Sequence, residues 1–335
     1  MNAAMVDEST LTLSTLAAHF SDEDAAYELM EATRWSDGPI CPHCGSVNHA
    51  YFLAPKSGAR TTRTGKTTYR RLWKCGDCRE QFSVLVGTIF EDSHISLSKW
   101  LLAIHLLCAG KNGVSALELS RTLGIAYRSA WFMCHRIRYA MARPPLVDKL
   151  TGTVEADETY VGGKHHGKRG RGAEGKTPVF TLVERDGEAR SQVMKRITGE
   201  NVRAALDAQV DHEATLMTDT YPVYRKPGKA FAAHEMVDHG KDEYAKDAEN
   251  PAGASKRAHI NTAEGYFSQL KRSIDGTYHH VSERHLNRYL AEFDYRYNTR
   301  KNKDGERTMR TIRQAAGKRL HYQEPVASEA VSAQE

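Results

Sequence analysis

Apolar positions recur at helical spacing over residues 20–141 and at strand spacing beyond about residue 150. Ser21-Asp-Glu-Asp24 opens the amphipathic run AAYELMEATRW; Ser21 is the expected cap, and the helix is expected to end near Gly38-Pro39. Ser98 is the expected cap of the run KWLLAIHLLCAG, which Gly110 stops. Leu117, Leu119 and Leu123 then lie on one helix, Gly124-Ile125 makes a turn, and Tyr127–Met141 forms a second helix. This is a helix-turn-helix pattern, which an ordinary helical hairpin also fits. Tyr127, Arg128 and Ser129 begin the second helix, where a recognition helix meets base edges or phosphates; Arg136 and Arg138 follow along it. Arg143-Pro144-Pro145 breaks the pattern and places a boundary near 145–150.

Beyond the break come a strand over Thr153–Tyr160 and two more, Pro178–Glu184 and Ala189–Ile197, around the turn Arg185-Asp-Gly-Glu188. A helix over Gly199–Val210 follows, then short strands at Ala214–Thr218 (ending in Asp219) and Ala232–Val237. Residues 240–258 are polar and read as a mobile loop, Thr262–Arg272 and Ser282–Tyr297 as helices, and the tail after 322 as disordered. Strand, hairpin, strand, helix, strand and late helix is the order of an α/β core of the RNase H-like kind.

The length, 335 residues, suits two or three domains at about 150 residues each. With 40% hydrophobic and 27% charged residues, the composition excludes a disordered or fibrous chain. The longest apolar stretch, Trp100–Ala109, is interrupted by His105 and falls well short of the ~20 residues a membrane span needs. The beginning, MNAAMVDEST, is acidic where a signal peptide is basic, so a cytoplasmic, nucleoid-associated protein is expected. The net charge of +5 is unevenly spread. Residues 1–40 hold eight acids and one arginine, whereas residues 56–79 hold eight Lys and Arg against one Asp. Clustered basicity points to nucleic acid, with a solvated face as the plain alternative.

Four of the six cysteines form two pairs, Cys41-Pro-His-Cys44 and Cys75-Gly-Asp-Cys78. Each pair lets one tight turn aim two thiolates at one ion, and two such turns give the closed tetrahedron of structural Zn2+. The glycines after Cys44 and Cys75 suit turns of positive φ. Tyr69, Leu72 and Trp73 read as a strand into the second pair, with Phe82, Val84 and Leu85 continuing it, so the segment reads as a zinc ribbon. His43 and His49 are possible competing ligands; Cys108 and Cys134 read as buried structural thiols.

Three carboxylates fall where such a fold could bring them to one end of a sheet: Asp157 in the first strand, Asp219 at the end of ATLMTD, and Glu264 early in NTAEGYFSQLKR. Carboxylates of this kind hold paired Mg2+ or Mn2+ ions for in-line phosphodiester displacement. Glu155 and Glu158 are rivals to Asp157, Glu155 on its face of the strand and Glu158 on the other. Lys271 lies about two helical turns beyond Glu264, within reach of a phosphate.

The stretches RWSDGPICPHCGS, WKCGDCREQFSVLVGTIFEDSHISLSKW, VEADETYVGGK, TDTYPVY and HINTAEGYFSQLKRSIDGTYHHVSERHLNRYLAEFDYRYNTR resemble the DDE transposases of bacterial insertion sequences with an N-terminal zinc ribbon, the ISXO-two-like group. The resemblance implies Asp157, Asp219 and Glu264 as metal ligands and Lys271 as the downstream basic residue. Asn261 or His259 would assist or replace Glu264, and His239 would position substrate. It also implies metal-dependent cleavage of double-stranded DNA, strand transfer at terminal inverted repeats, and a homodimer or higher assembly. Arg272 and the basic loop containing Lys168, Arg169 and Arg171 are further expected DNA contacts. The expected divisions are a helical segment 1–38, zinc ribbon 39–92, helix-turn-helix domain 93–147, catalytic domain 148–322 and tail 323–335. An inactive DNA-binding regulator, a nuclease without strand transfer and a zinc-stabilised scaffold are the alternatives.

Overall fold

The computed structural model describes residues 7–55, 60–61, 67–68, 71–143, 148–162, 175–238, 246–248 and 256–321. The chain divides into two units: one takes the residues up to Met141 and again from Asn302, the other Ala142–Lys301.

The first unit begins with helices α1 (Leu13–His19) and α2 (Glu23–Arg34). Asp22, not Ser21, caps α2, because its carboxylate accepts from the Asp24 N–H; the helix stops at Trp35, short of Gly38. Strands β1 (Ala50–Phe52), β4 (Trp73–Cys75) and β5 (Gln81–Phe82) form an antiparallel sheet in the order β1-β4-β5. Between β1 and β4 lies the ribbon β2 (Arg60–Thr61) and β3 (Thr67–Thr68). Val84 and Leu85 leave the strand and turn into the core. The α2 helix is fastened to this sheet: Glu31 accepts from Trp73 Nε1 at 2.8 Å and from Arg71, which also reaches Glu28 at 3.3 Å. The acidity of the N-terminal segment is thus partly spent within the molecule.

Helix α3 (Leu97–Ala109) is buried along most of its length and ends at Gly110 as expected. Its N-terminal cap comes from elsewhere. The Glu23 carboxylate accepts from the Leu97 and Ser98 N–H groups and from Ser98 Oγ. Helices α4 (Ala116–Leu123) and α5 (Tyr127–Met141) follow, joined by Gly124 in the left-handed region (φ +60°) that the turn requires. The helix Asp304–Gln314, placed with the C-terminal domain by the sequence, packs on α3: Thr308 and Thr311 meet His105 and Cys108 at 3.0 and 3.3 Å. Cys108 and Cys134 are buried, as expected.

The second unit is built on a five-stranded mixed sheet. Strands β6 (Thr153–Gly162), β7 (Lys176–Glu184) and β8 (Ala189–Val193) make an antiparallel meander. After helix α6 (Gly199–Gln209), β9 (Thr215–Asp219) runs parallel to β6. After the short helix α7 (Arg225–Gly228), β10 (Ala233–Val237) runs parallel to β9. The sheet order is β10-β9-β6-β7-β8. Part of the expected loop at 240–258 is a two-stranded ribbon, β11 (Lys246–Ala248) with β12 (Lys256–Ala258).

Strand alternation divides the core by face. Val154, Ala156, Phe180 and Leu182 pack with α6 and Tyr224. Val161, Val179 and Val183 pack with helices α8 (Asn261–Ser273) and α9 (Glu283–Asn298). A π-helical turn, Ile274–Tyr278, follows α8, and Tyr278 donates to the buried Glu292, which pairs with Arg296.

Edge strand β8 is closed by side chains of α9. Asn298 Oδ1, Asp294 Oδ2 and Asn287 Oδ1 accept from the N–H groups of Ala189, Ser191 and Val193 at 2.7, 2.8 and 3.0 Å. A period-two edge is thereby matched by residues on one helix face, leaving no free template for strand addition there.

Candidate metal centre and carboxylate site

The four ribbon cysteines converge. Cys41 and Cys78 sulfurs lie 3.6 Å apart, as do those of Cys44 and Cys75, and all four lie within 4.8 Å of one another. Sulfurs about 2.3 Å from a common ion in a tetrahedron stand about 3.8 Å apart, so the cluster fits Zn2+ closely. The backbone N–H of Cys78, then that of Asp77, draw the Cys75 thiol down to about 6, toward the thiolate a metal needs. The glycines act differently in the two turns. Gly45 has the expected positive φ of 76°, but in the second turn it falls on Arg79, φ 66°. Gly76 is there for space: a Cβ would stand 2.8 Å from the His49 ring. His49 is not part of the cluster, which the four cysteines make up alone; its Nδ1 pairs with Asp77 at 2.7 Å.

In the second unit, β6 and β9 pair with Glu155 opposite Met217. That register, carried two residues on, sets Asp157 level with Asp219 at the C-terminal end of β9, both on the face covered by α8. Glu264 lies in the first turn of α8. Burial first, then the charges of Glu158, Asp219 and Glu264, push the Asp157 carboxyl up to about 8, although its Oδ1 accepts the Glu158 N–H at 2.8 Å. Asp219 Oδ1 accepts from the Tyr221 N–H at 2.9 Å, which fixes its rotamer. A half-buried carboxyl whose proton is retained by desolvation and by three neighbouring acids is an environment that a divalent cation would relieve. Among the described residues only the cysteine group brings three or more ligand atoms within 4.8 Å.

The rivals separate cleanly. Glu158 faces the other side of the sheet and accepts from Tyr224 Oη at 2.6 Å. Glu155, fully buried, accepts from Arg185 Nε at 2.8 Å, Thr262 N and Oγ1 at 2.9 Å, and Ala263 N at 3.0 Å. His259 Nδ1 lies 3.1 Å from the same carboxylate, an ion-pair contact rather than a hydrogen bond. Asn261 opens α8 and is exposed, and Lys271 and Arg272 are exposed near its end.

Tyr127 and Arg128 are exposed on the first turn of α5. Arg136 and Arg138, expected to meet DNA, are instead buried. Arg136 donates to the carbonyls of Glu91 and Leu320, its guanidinium 5.0 Å from the Phe132 ring centre. Helical spacing does not tell which cation the returning C-terminal segment covers. His239, Lys168, Arg169 and Arg171, and the tail from 323, lie outside the described residues.

A cysteine cluster fit for a metal on a small ribbon and, in a separate unit, a mixed sheet with acids on two neighbouring strands define a protein built of a ribbon module and a carboxylate-bearing α/β domain. Comparison with known proteins gives that class its family. Residues 149–298 match the ISXO2-like transposase domain and residues 21–81 the transposase zinc-ribbon domain. The chain belongs to the insertion-sequence transposase family that these two domains define. A protein of Halobacterium salinarum, described as an uncharacterized protein in transposable element ISH50, is 28% identical over 314 residues, which is 89% of this chain and 98% of that protein. Among the described residues no helix is long and apolar enough to cross a membrane.

Proposed function

We propose that this chain is an active DDE transposase. It binds the terminal inverted repeats of an insertion sequence, hydrolyses a phosphodiester there, and joins the freed 3′-hydroxyl to target DNA. The observation that carries the reading is the placement of Asp157 and Asp219 level on neighbouring parallel strands, with Glu264 in the first turn of the helix over that face. An antiparallel meander extended by two strands parallel to its first is the order expected of an RNase H-like sheet, which supports that fold.

Asp157, Asp219 and Glu264 would hold Mg2+ or Mn2+. When bound, such ions lower the pKa of the attacking hydroxyl and neutralise charge on the leaving oxygen. The chain's own residues do the rest. Asp219, fixed by the Tyr221 N–H, presents a carboxylate of set orientation. Asn261 assists at the helix start, and Lys271 and Arg272 offer exposed cations to the flanking phosphates. His239 and the basic loop with Lys168, Arg169 and Arg171 are further proposed substrate contacts.

The N-terminal unit would provide recognition. Zn2+ on the four cysteines stiffens the ribbon. The α4–α5 pair, with exposed Tyr127 and Arg128 at the start of α5, suits a helix-turn-helix reading the major groove. Two DNA ends must be handled together, so a homodimer or higher assembly on DNA is expected.

The test is cleavage and strand transfer on a duplex carrying the element's own end, with Mg2+ or Mn2+, for wild type beside Asp219→Ala. Cutting and joining lost in the variant supports the reading. Binding without cutting by the wild type points to a DNA-binding regulator, cutting without joining to a nuclease, and cutting that survives Asp219→Ala to different ligands.

A further inference from the structure

Both oxygens of Glu155 are engaged by donors of this chain, and neither is left for an ion. Four donors from three residues reach it at 2.8–3.0 Å, with His259 Nδ1 at 3.1 Å. Two of the donors are the Thr262 and Ala263 N–H groups of α8. That helix begins at Ile260 without a side-chain cap of its own. Glu155 therefore caps α8 from a strand 107 residues away, placing a buried negative charge at the helix's positive end.

Its partner extends the network. Arg185, on the turn after β7, donates through Nη2 to the carbonyl of His259 at 2.9 Å and contacts Met217 Sδ at 2.7 Å; its N–H donates to Thr153 O at 2.9 Å. The Glu155–Arg185 pair thus touches β6 at 155, β9 at Met217 and α8 at Thr262. Each of the proposed metal carboxylates, Asp157, Asp219 and Glu264, stands two residues beyond one of those points. Two residues span about 7 Å of a strand, so on β6 and β9 the ion pair lies one layer beneath Asp157 and Asp219, while on α8 it holds the first turn, which carries Glu264.

We infer that Glu155, through its ion pair with Arg185, is a positioning residue that sets the mutual spacing of Asp157, Asp219 and Glu264, and is not itself a ligand. The inference rests on the metal-site reading above. It explains why the strand carries an acid at both 155 and 157 on one face: the first locks the helix, the second faces the metal.

The experiment titrates Mn2+ into the full-length protein by calorimetry, for wild type, Glu155→Gln, Thr262→Val and Glu292→Gln. The last removes a buried charge from the same unit, away from the site. Amide hydrogen exchange at Thr262 and Ala263 is followed without added Mn2+. Glu155→Gln is expected to weaken Mn2+ binding by about 10–100-fold and to quicken exchange at both amides. Thr262→Val, which removes a single donor and keeps the fold if Glu155→Gln does not, is expected to shift affinity the same way by less. Glu292→Gln is expected to lower thermal stability with Mn2+ affinity unchanged. Affinity unchanged in Glu155→Gln, or in Thr262→Val should the first not fold, overturns the inference. Binding abolished in Glu155→Gln to the same degree as in Asp157→Ala overturns it too, by making Glu155 a ligand. A wild type that binds no Mn2+ overturns the metal-site reading itself, and unchanged amide exchange in Glu155→Gln then rejects the helix lock independently.

Discussion

Asp157 and Asp219 stood out in the sequence because a carboxylate within or at the end of an apolar strand is conspicuous, and their spacing of 62 residues is the offset at which β6 and β9 pair. The protonation of Asp157 makes a prediction. A carboxyl raised from 3.8 to about 8 favours the metal-free fold while protonated, so its contribution is lost as pH rises from 3.8 through about 8. A divalent ion held by Asp157, as proposed, would displace that proton. Mn2+ affinity is therefore expected to rise about tenfold per pH unit below pH 8 and to level off above it, with close to one proton released per site at pH 7. Calorimetry in buffers of different ionisation enthalpy checks this; no proton release would refute it. Arginines were less readable, because exposure depends on what packs over them. Arg136→Ala is expected to destabilise the protein by about 1–3 kcal/mol in denaturant, since two buried carbonyls lose their donor. Arg128→Ala is expected to leave stability unchanged and flatten the salt dependence of DNA binding by about one counterion.

Element positions followed the hydrophobic pattern well where a helix or strand has its own caps and turns, as at α4, Gly124 and α5 or the β7–β8 hairpin. They were missed where stability comes from distant partners. The helix Asp304–Gln314 has two acids, three arginines and few apolar residues, and takes its place from contacts with α3 nearly 200 residues earlier. The α9 segment is the reverse case: a distinctive sequence whose polar residues serve the backbone of β8. Asn298→Ala removes both the acceptor for the Ala189 N–H and the donor to its carbonyl, at an expected loss of about 1–3 kcal/mol in chemical denaturation. Asp294 adds a pH signature. Burial holds its carboxyl up at about 6, so the stability it contributes is present at acid pH and lost as pH rises from 3.8 through about 6. The stability difference between wild type and Asp294→Asn, measured from pH 4 to 7, is expected to fall steadily over that window; a flat difference would show that the carboxyl ionises as freely as in solvent.

On the scale of the whole molecule, the two units rest on different physics. The second is held by a two-faced apolar core around its sheet, as its buried clusters show. The ribbon of the first has strands of only two or three residues. Its sheet gains order from the Trp35, Trp73 and Phe82 edge contacts and from whatever ion joins its four sulfurs. Sheets that small are marginal alone, and metal binding energy then becomes folding energy. Removal of Zn2+ by a strong chelator is therefore expected to raise amide exchange across Cys41–Phe82 and to leave the amides of β6, β7 and β9 protected. The functional consequence should follow the same line. The zinc-stripped protein is expected to lose preference for the element's end over unrelated duplex while its second unit still binds Mn2+. Asp219→Ala is expected to show the converse: end binding retained, and Mn2+ binding and cutting lost. A single preparation assayed for end preference by competition and for Mn2+ by calorimetry distinguishes the two. Loss of both properties on chelation would mean that the carboxylate site depends on the ribbon for its fold, and that recognition and chemistry do not reside in separable units.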